Sequence, residues 1–137
     1  MHTMALRVGI DLVSVDTVRE SVSEHGEHYL ARVYTEREVR DCTTPAGLDP
    51  ERLAARFAAK EATLKVLRPG DVGVPWFEIE ALRSADGWVG LELAGAAAKL
   101  AEEAGITELA LSITHEGGFA SAAVVASCAS ETGNQDR

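Results

Sequence analysis

Four side chains in this sequence sit where packing alone would favour apolar ones. Asp11 interrupts an alternating apolar stretch, Glu61 and Lys65 lie four apart in an Ala- and Leu-rich stretch, and His115 ends another alternating stretch. Two carboxylates from different elements suit Mg²⁺, which takes one or two protein carboxylates and fills its shell with waters and substrate phosphates. A lysine one helical turn away suits a phosphate oxygen or a leaving phosphate. The set points to metal-assisted chemistry at a phosphate. Each member also has an ordinary reading. Glu61 and Lys65 are an i,i+4 pair worth roughly 0.2–0.5 kcal/mol. Asp11 is then a surface residue of an edge strand, and His115 a strand-end imidazole bonded to a carbonyl.

The elements that must position these groups follow from periodicity. Arg52 to Arg68 is rich in strong helix formers, and Leu53, Phe57, Leu64 and Leu67 fall on one side of it. Lys60 projects into that stripe, either snorkelling along the core edge or serving a site. Leu6 to Val15 alternates as a strand, and Gly9 predicts a close backbone approach or a bulge. Asp16 or Thr17 caps a helix running to about Leu30, with its end blurred by Gly26. Thr35 and Glu38 form a capping box for a short helix through about Cys42. Thr43 to Pro50 is a loop, as is Asp71 to Pro75. A strand through Phe77, Ile79 and Ala81 turns at Ala85-Asp86-Gly87 into a return strand from Trp88 to Leu93. Ala94 to Ala104 is a helix ended by Gly105. A strand through Leu109, Leu111 and Ile113 turns at Gly117-Gly118 into a last strand, Phe119 to Ala126. This order predicts an α+β fold, with helices packed on one face of a mostly antiparallel sheet.

The 137 residues suffice for one domain, here 1–128, with a polar tail over 129–137. A net charge of −9 argues against a nucleic-acid partner. No apolar run is long enough for a membrane span, and the N-terminus lacks the features of a secretory signal. Cys42 and Cys128 stand alone, as expected of two buried thiols in a reducing, cytoplasmic setting.

Five segments occur in a recognisable order: GID at Gly9–Asp11, RVYTEREV at Arg32–Val39, RFAAKEATLK at Arg56–Lys65, WFEIE at Trp76–Glu80 and SITHEGGFASAAVV at Ser112–Val125. From about Val8 to Val125 the chain resembles the short phosphopantetheinyl transferases of the holo-(acyl carrier protein) synthase type. The resemblance implies the 4′-phosphopantetheinyl transferase fold in a compact homotrimer, with active sites between neighbouring subunits. It also implies transfer of 4′-phosphopantetheine from coenzyme A to a serine of an apo acyl carrier protein, with release of 3′,5′-ADP. Carried over by position, Asp11 and Glu61 become Mg²⁺ ligands and Lys65 contacts the coenzyme A phosphates. Arg56, Phe57 and Lys60 line the coenzyme A pocket, and Ser112, Thr114 and His115 meet the nucleotide. Glu61, Lys65 and His115 become the catalytic candidates. The serine's proton goes to Glu61, to a water on the metal or to Glu116, with His115 orienting the group. The competing reading is a non-catalytic relative that binds coenzyme A or a carrier as regulator or scaffold.

Two departures matter. Ser14 and Thr17 stand where the family shows an acid and an arginine, and the nearest arginine is Arg19. The helix that presents basic residues to an acidic carrier in the family holds Asp16, Glu20, Glu24 and Glu27 here. Acid facing acid slows encounter, so a dedicated, less acidic carrier is expected, with Arg32, Arg37 and Arg40 as a substitute basic patch. Trp88-Val89 replaces a common Gly-x-Pro continuation and alters only hairpin shape.

Overall fold

The computed structural model describes residues 2–131. Its principal sheet has three antiparallel strands in the order β1 (His2–Ser14), β7 (Phe119–Glu131) and β6 (Ile106–Glu116). β7 is central, pairing along its whole length with β1 from Ser14↔Phe119 to His2↔Glu131. Gly117 and Gly118, at φ 61° and 86°, close the β6–β7 hairpin in the left-handed region that two-residue turns require. A second hairpin pairs β4 (Ile79–Arg83) with β5 (Val89–Leu93), as the Asp86-Gly87 signal predicts. Thr43–Thr44 (β2) and Gly47–Leu48 (β3) form a minimal ladder inside the segment expected to be plain loop.

The long helix α4 (Pro50–Leu67) crosses the inner face of β1 and β7. Asp49 caps it, its carboxylate accepting from the backbone N–H groups of Glu51 and Arg52, and Pro50 takes the first turn, where no N–H is needed. Around it lie α1 (Val15–His25), α2 (Glu27–Val33), α3 (Glu36–Asp41) and α5 (Gly95–Glu103). The single helix expected from Asp16 to about Leu30 is therefore two. Ser14 caps the first, and Gly26, at φ 52°, breaks the path. The capping box of α3 forms as read. A 3₁₀ turn occupies Trp76–Glu78, so Phe77 precedes the strand instead of belonging to it.

Small residues set the helix-to-sheet distance. Ala54, Ala55, Ala58, Ala59 and Ala62 of α4 are buried, as are Ala120, Ala122 and Ala126 of β7. Gly9 is a point of close approach: a Cβ there would lie 2.1 Å from the Ala62 carbonyl oxygen. The close approach read from Gly9 is thus real. α4 is also buried on more sides than one apolar stripe predicts, since Arg56, Lys60 and Thr63 are buried with the alanines.

β1 inverts the usual alternation. Gly9 is buried and Arg7 and Asp11 half-buried on the side facing α4, and the Arg7 guanidinium donates to the Val66 carbonyl at 2.9 Å. Met4, Leu6, Val8, Ile10 and Leu12 point outward. Cys42 and Cys128 are free and buried, and burial pushes the Cys42 thiol up to about 11, well away from reactive thiolate. Ala129–Glu131 continue β7 beyond the expected last strand, and 132–137, the rest of the expected tail, lie outside the described residues. Among the described residues no helix is long and apolar enough to cross a membrane.

Candidate active site

The Gly9–Ala62 contact brings the two carboxylate-bearing segments together. Gly9 and Asp11 share the inner face of β1, so removing the side chain at one lets the backbone carry the other against α4. Lys65, one turn beyond Glu61, reaches across to β1. Its ammonium donates to the Ile10 carbonyl at 2.7 Å and lies 3.3 Å from Asp11 Oδ1. The ion pair is therefore interstrand-to-helix, Lys65 with Asp11, in place of the local Glu61–Lys65 pair. Lys65 remains about half exposed, its side chain at 53 %, so it is open to a ligand.

Glu61 feels two opposing neighbours. Partial burial and then the charge of Asp11 raise its pKa above the usual carboxylate range, and Lys65 pulls the other way. A carboxylate whose ionisation is opposed by burial and by a second carboxylate is what a divalent cation relieves. Among the described residues there is no group of three or more His, Cys, Asp or Glu side chains placed to hold a metal. That leaves the Asp11–Glu61 pair, and two carboxylates fit Mg²⁺ that draws its remaining oxygens from water and phosphate.

The other expected pocket residues divide. Lys60 is corrected outright: it is fully buried, and its ammonium donates to Glu38 Oε1 at 2.6 Å, the Ile79 carbonyl at 2.5 Å and the Trp76 carbonyl at 3.2 Å. With all three donors spent on the chain itself, it has none left for coenzyme A. Arg56 is also withdrawn from any open surface of the single chain, at 1 % exposure, with Asp41 Oδ2 3.6 Å from Nη2. Its Nε and Nη2 have no hydrogen-bond partner. Phe57 is half-buried against Trp76, ring centroids 5.3 Å apart.

Ser112 and Thr114 alternate with the half-buried Leu111 and Ile113, so they lie on the outer face of the sheet. That is the face carrying Ile10 and Leu12, opposite to Asp11. His115 points to the helix side, at the far end of α4 from Glu61, and its Nδ1 lies 3.1 Å from Glu51 Oε2. One chain therefore gathers Asp11, Glu61 and Lys65 at one place and leaves Ser112, Thr114 and His115 elsewhere. Of the arginines expected to meet a carrier, Arg19 on α1 is paired with Asp16 at 2.5 Å, and Arg37 on α3 lies 3.4 Å from Glu80 and 3.9 Å from Glu92.

Sequence reasoning missed two partners. Glu38 announces itself as a capping-box residue, but its other carboxylate oxygen also accepts from the Ala81 N–H at 2.8 Å. Glu51 reads as an ordinary acid in a first helical turn, and nothing local signals a histidine 64 positions later.

A family model matches residues 7–122 of the chain, a span containing every residue just placed. The chain belongs to the 4′-phosphopantetheinyl transferase superfamily. Within that superfamily it is 40 % identical to the holo-[acyl-carrier-protein] synthase of Desulforudis audaxviator, over 94 % of this chain and 98 % of that relative. It is 38 % identical to the synthase of Koribacter versatilis, over 89 % and 98 % respectively. Among solved transferase structures, the coenzyme A complex of the Chronobacterium ammoniagenes enzyme superposes with a TM-score of 0.75 at 39 % identity, covering 89 % of this chain and 96 % of that one. The Helicobacter pylori synthase in complex with coenzyme A gives 0.73 at 27 % identity, covering 88 % and 99 %.

Proposed function

We propose that this chain transfers 4′-phosphopantetheine from coenzyme A to a serine of an apo acyl carrier protein, releasing 3′,5′-ADP. The observation that carries the reading is the meeting of Asp11, Glu61 and Lys65 across the Gly9–Ala62 contact, in a chain of this superfamily. In the reaction the serine Oγ forms a bond to the β-phosphorus, and the bond from that phosphorus to the 3′,5′-ADP oxygen breaks. Asp11 and Glu61 would hold Mg²⁺, which would supply positive charge against the pyrophosphate. Glu61, or a water it orients, accepts the serine proton. Lys65 sits beside the departing phosphate, where a positioned cation is worth most.

Lys65→Ala accordingly lowers turnover about 10²-fold, with a much smaller loss of Mg²⁺ affinity. Steady-state rates combined with metal titration by calorimetry check this; a large loss of metal affinity at near-normal turnover contradicts the assignment.

The site is completed by a second copy of the chain. The exposed apolar row Met4, Leu6, Val8, Ile10 and Leu12, with Leu6 at 74 % and Ile10 at 64 %, is too extensive for a surface left in water. Ser112 and Thr114 lie on that same face, so copies that cover it place the strand that carries them at the subunit boundary. The expected assembly is a homotrimer. Sedimentation gives three times the chain mass, and Leu6→Lys with Val8→Lys yields inactive monomers. A monomeric wild-type chain with full turnover contradicts it.

The acids of α1 and the pairing of Arg19 and Arg37 favour a dedicated, weakly acidic carrier. Rates on carriers of graded acidity rise as acidity falls; equal rates across the series refute this preference.

A further inference from the structure

We infer that Glu51 is a positioning residue for His115, and through it for the nucleotide end of coenzyme A; this rests on the coenzyme A reading above. The pair spans α4 and β6. Glu51 Oε2 lies 3.1 Å from His115 Nδ1, with both side chains about half exposed, 48 % and 54 %. The backbone beneath Glu51 is fixed, because the Asp49 cap accepts from the Glu51 N–H at 3.0 Å and from the Arg52 N–H at 3.4 Å.

The nearby cations are engaged elsewhere. The Arg52 guanidinium turns to Asp49 at 3.5 Å and to the Asp41 carbonyl at 3.2 Å, and Arg56 lies against Asp41. The Glu51 carboxylate is left to the imidazole. A carboxylate 3.1 Å from Nδ1 favours the ring rotation that turns Nε2 outward.

Geometry separates this pair from the chemistry. Glu51 and Glu61 are ten residues apart on one helix, about 15 Å along its axis. His115 thus stands well away from the Asp11–Glu61–Lys65 group of its own chain, and its contribution is to binding. Lys60 and Arg56 are buried, which leaves His115 as the expected nucleotide contact on the helix side of the sheet with a half-exposed polar tip.

The competing role for Glu51 is favourable charge in the first turn of a helix. The two roles predict opposite signs. A carboxylate that serves only the helix repels an anionic nucleotide, so its removal tightens coenzyme A binding. A carboxylate that aims His115 weakens binding when removed.

The test compares E51A, E51Q, H115A and the double variant E51A/H115A as full-length proteins, after thermal melts confirm folding. E51A raises KM for coenzyme A about five- to tenfold with kcat within about twofold, the pattern of lost ground-state binding. E51Q, whose amide oxygen still accepts from Nδ1–H, stays within about twofold of wild type in KM. The double variant is no worse than H115A, because each substitution removes the same interaction. An unchanged or lowered KM in E51A, or additive losses in the double variant, overturns the inference. Calorimetry with 3′,5′-ADP separates the two levels of the argument. Wild-type binding with equal affinity in E51A overturns the role of Glu51 alone. A wild-type chain that binds neither 3′,5′-ADP nor coenzyme A overturns the coenzyme A reading and the Glu51 role with it.

Discussion

Glu61→Gln abolishes most turnover, by about 10²-fold or more, and at the same time makes the metal-free protein more stable at neutral pH. The second half follows from linkage. Burial and Asp11 raise the pKa of Glu61 in the folded chain above its unfolded value. Over the window between those two values the folded state binds more protons than the unfolded one, so stability falls as pH rises through it. Above the window Glu61 is ionised, and its full cost is present. Gln carries no such cost. The stability difference between variant and wild type therefore grows from about pH 4 upward and levels off above the folded pKa. Urea midpoints across this range, in chelator, measure it. Adding Mg²⁺ stabilises wild type by mass action and leaves E61Q nearly unmoved. A variant that is less stable than wild type at neutral pH, yet still stabilised by Mg²⁺, contradicts the account of Glu61 as a strained metal ligand.

Lys60→Met is expected to cost about 3–5 kcal/mol, the usual penalty for leaving a buried charge without its partner. Glu38 and Lys60 are both fully buried, and the ammonium ties α4 to α3, to the 3₁₀ turn and to β4 through three hydrogen bonds. The ring of Tyr34, 5.7 Å away, adds a cation–π contact. The carboxylate is needed independently, because it accepts from the backbone N–H groups of Ala81 and Thr35. E38Q/K60M keeps a side-chain oxygen for one of those donors and removes the stranded charge. It is therefore more stable than K60M alone, a sign of coupling that chemical denaturation reads directly. A K60M protein within about 1 kcal/mol of wild type contradicts the buried pair as the link among these elements.

The elements that sequence shows best are those specified by local chemistry. The Thr35/Glu38 box, the Asp86-Gly87 turn and the Gly117-Gly118 turn each satisfy a backbone requirement within a few residues, and each forms as read, whereas α4 starts at Pro50, inside the segment expected to be loop. The placement of Asp11, Glu61 and Lys65 was legible for the same reason. Asp11 and Gly9 are two apart in a strand and Glu61 and Lys65 four apart in a helix, so periodicity alone places each pair on one face.

What sequence hid depends on distant partners. Lys60 looks like a site residue because a lysine in an apolar stripe is anomalous; only Glu38, 22 positions earlier, shows that it is neutralised in the core. Lys65 finds Asp11 54 positions away in preference to the acid one turn back on its own helix. The outward face of β1 is equally opaque. Leu6, Val8, Ile10 and Leu12 alternate like core residues, and the presence of α4 on the opposite face is what leaves them exposed.

The most direct test of the central claim is intact-mass spectrometry of an apo acyl carrier protein incubated with this chain, coenzyme A and Mg²⁺, beside a reaction containing chelator. The account predicts that the carrier gains the mass of one phosphopantetheine in the first reaction, keeps its apo mass in the second, and releases 3′,5′-ADP in equal amount. A carrier that stays at its apo mass across a panel of carriers, while the chain binds coenzyme A, contradicts the transferase assignment and identifies a binding protein instead.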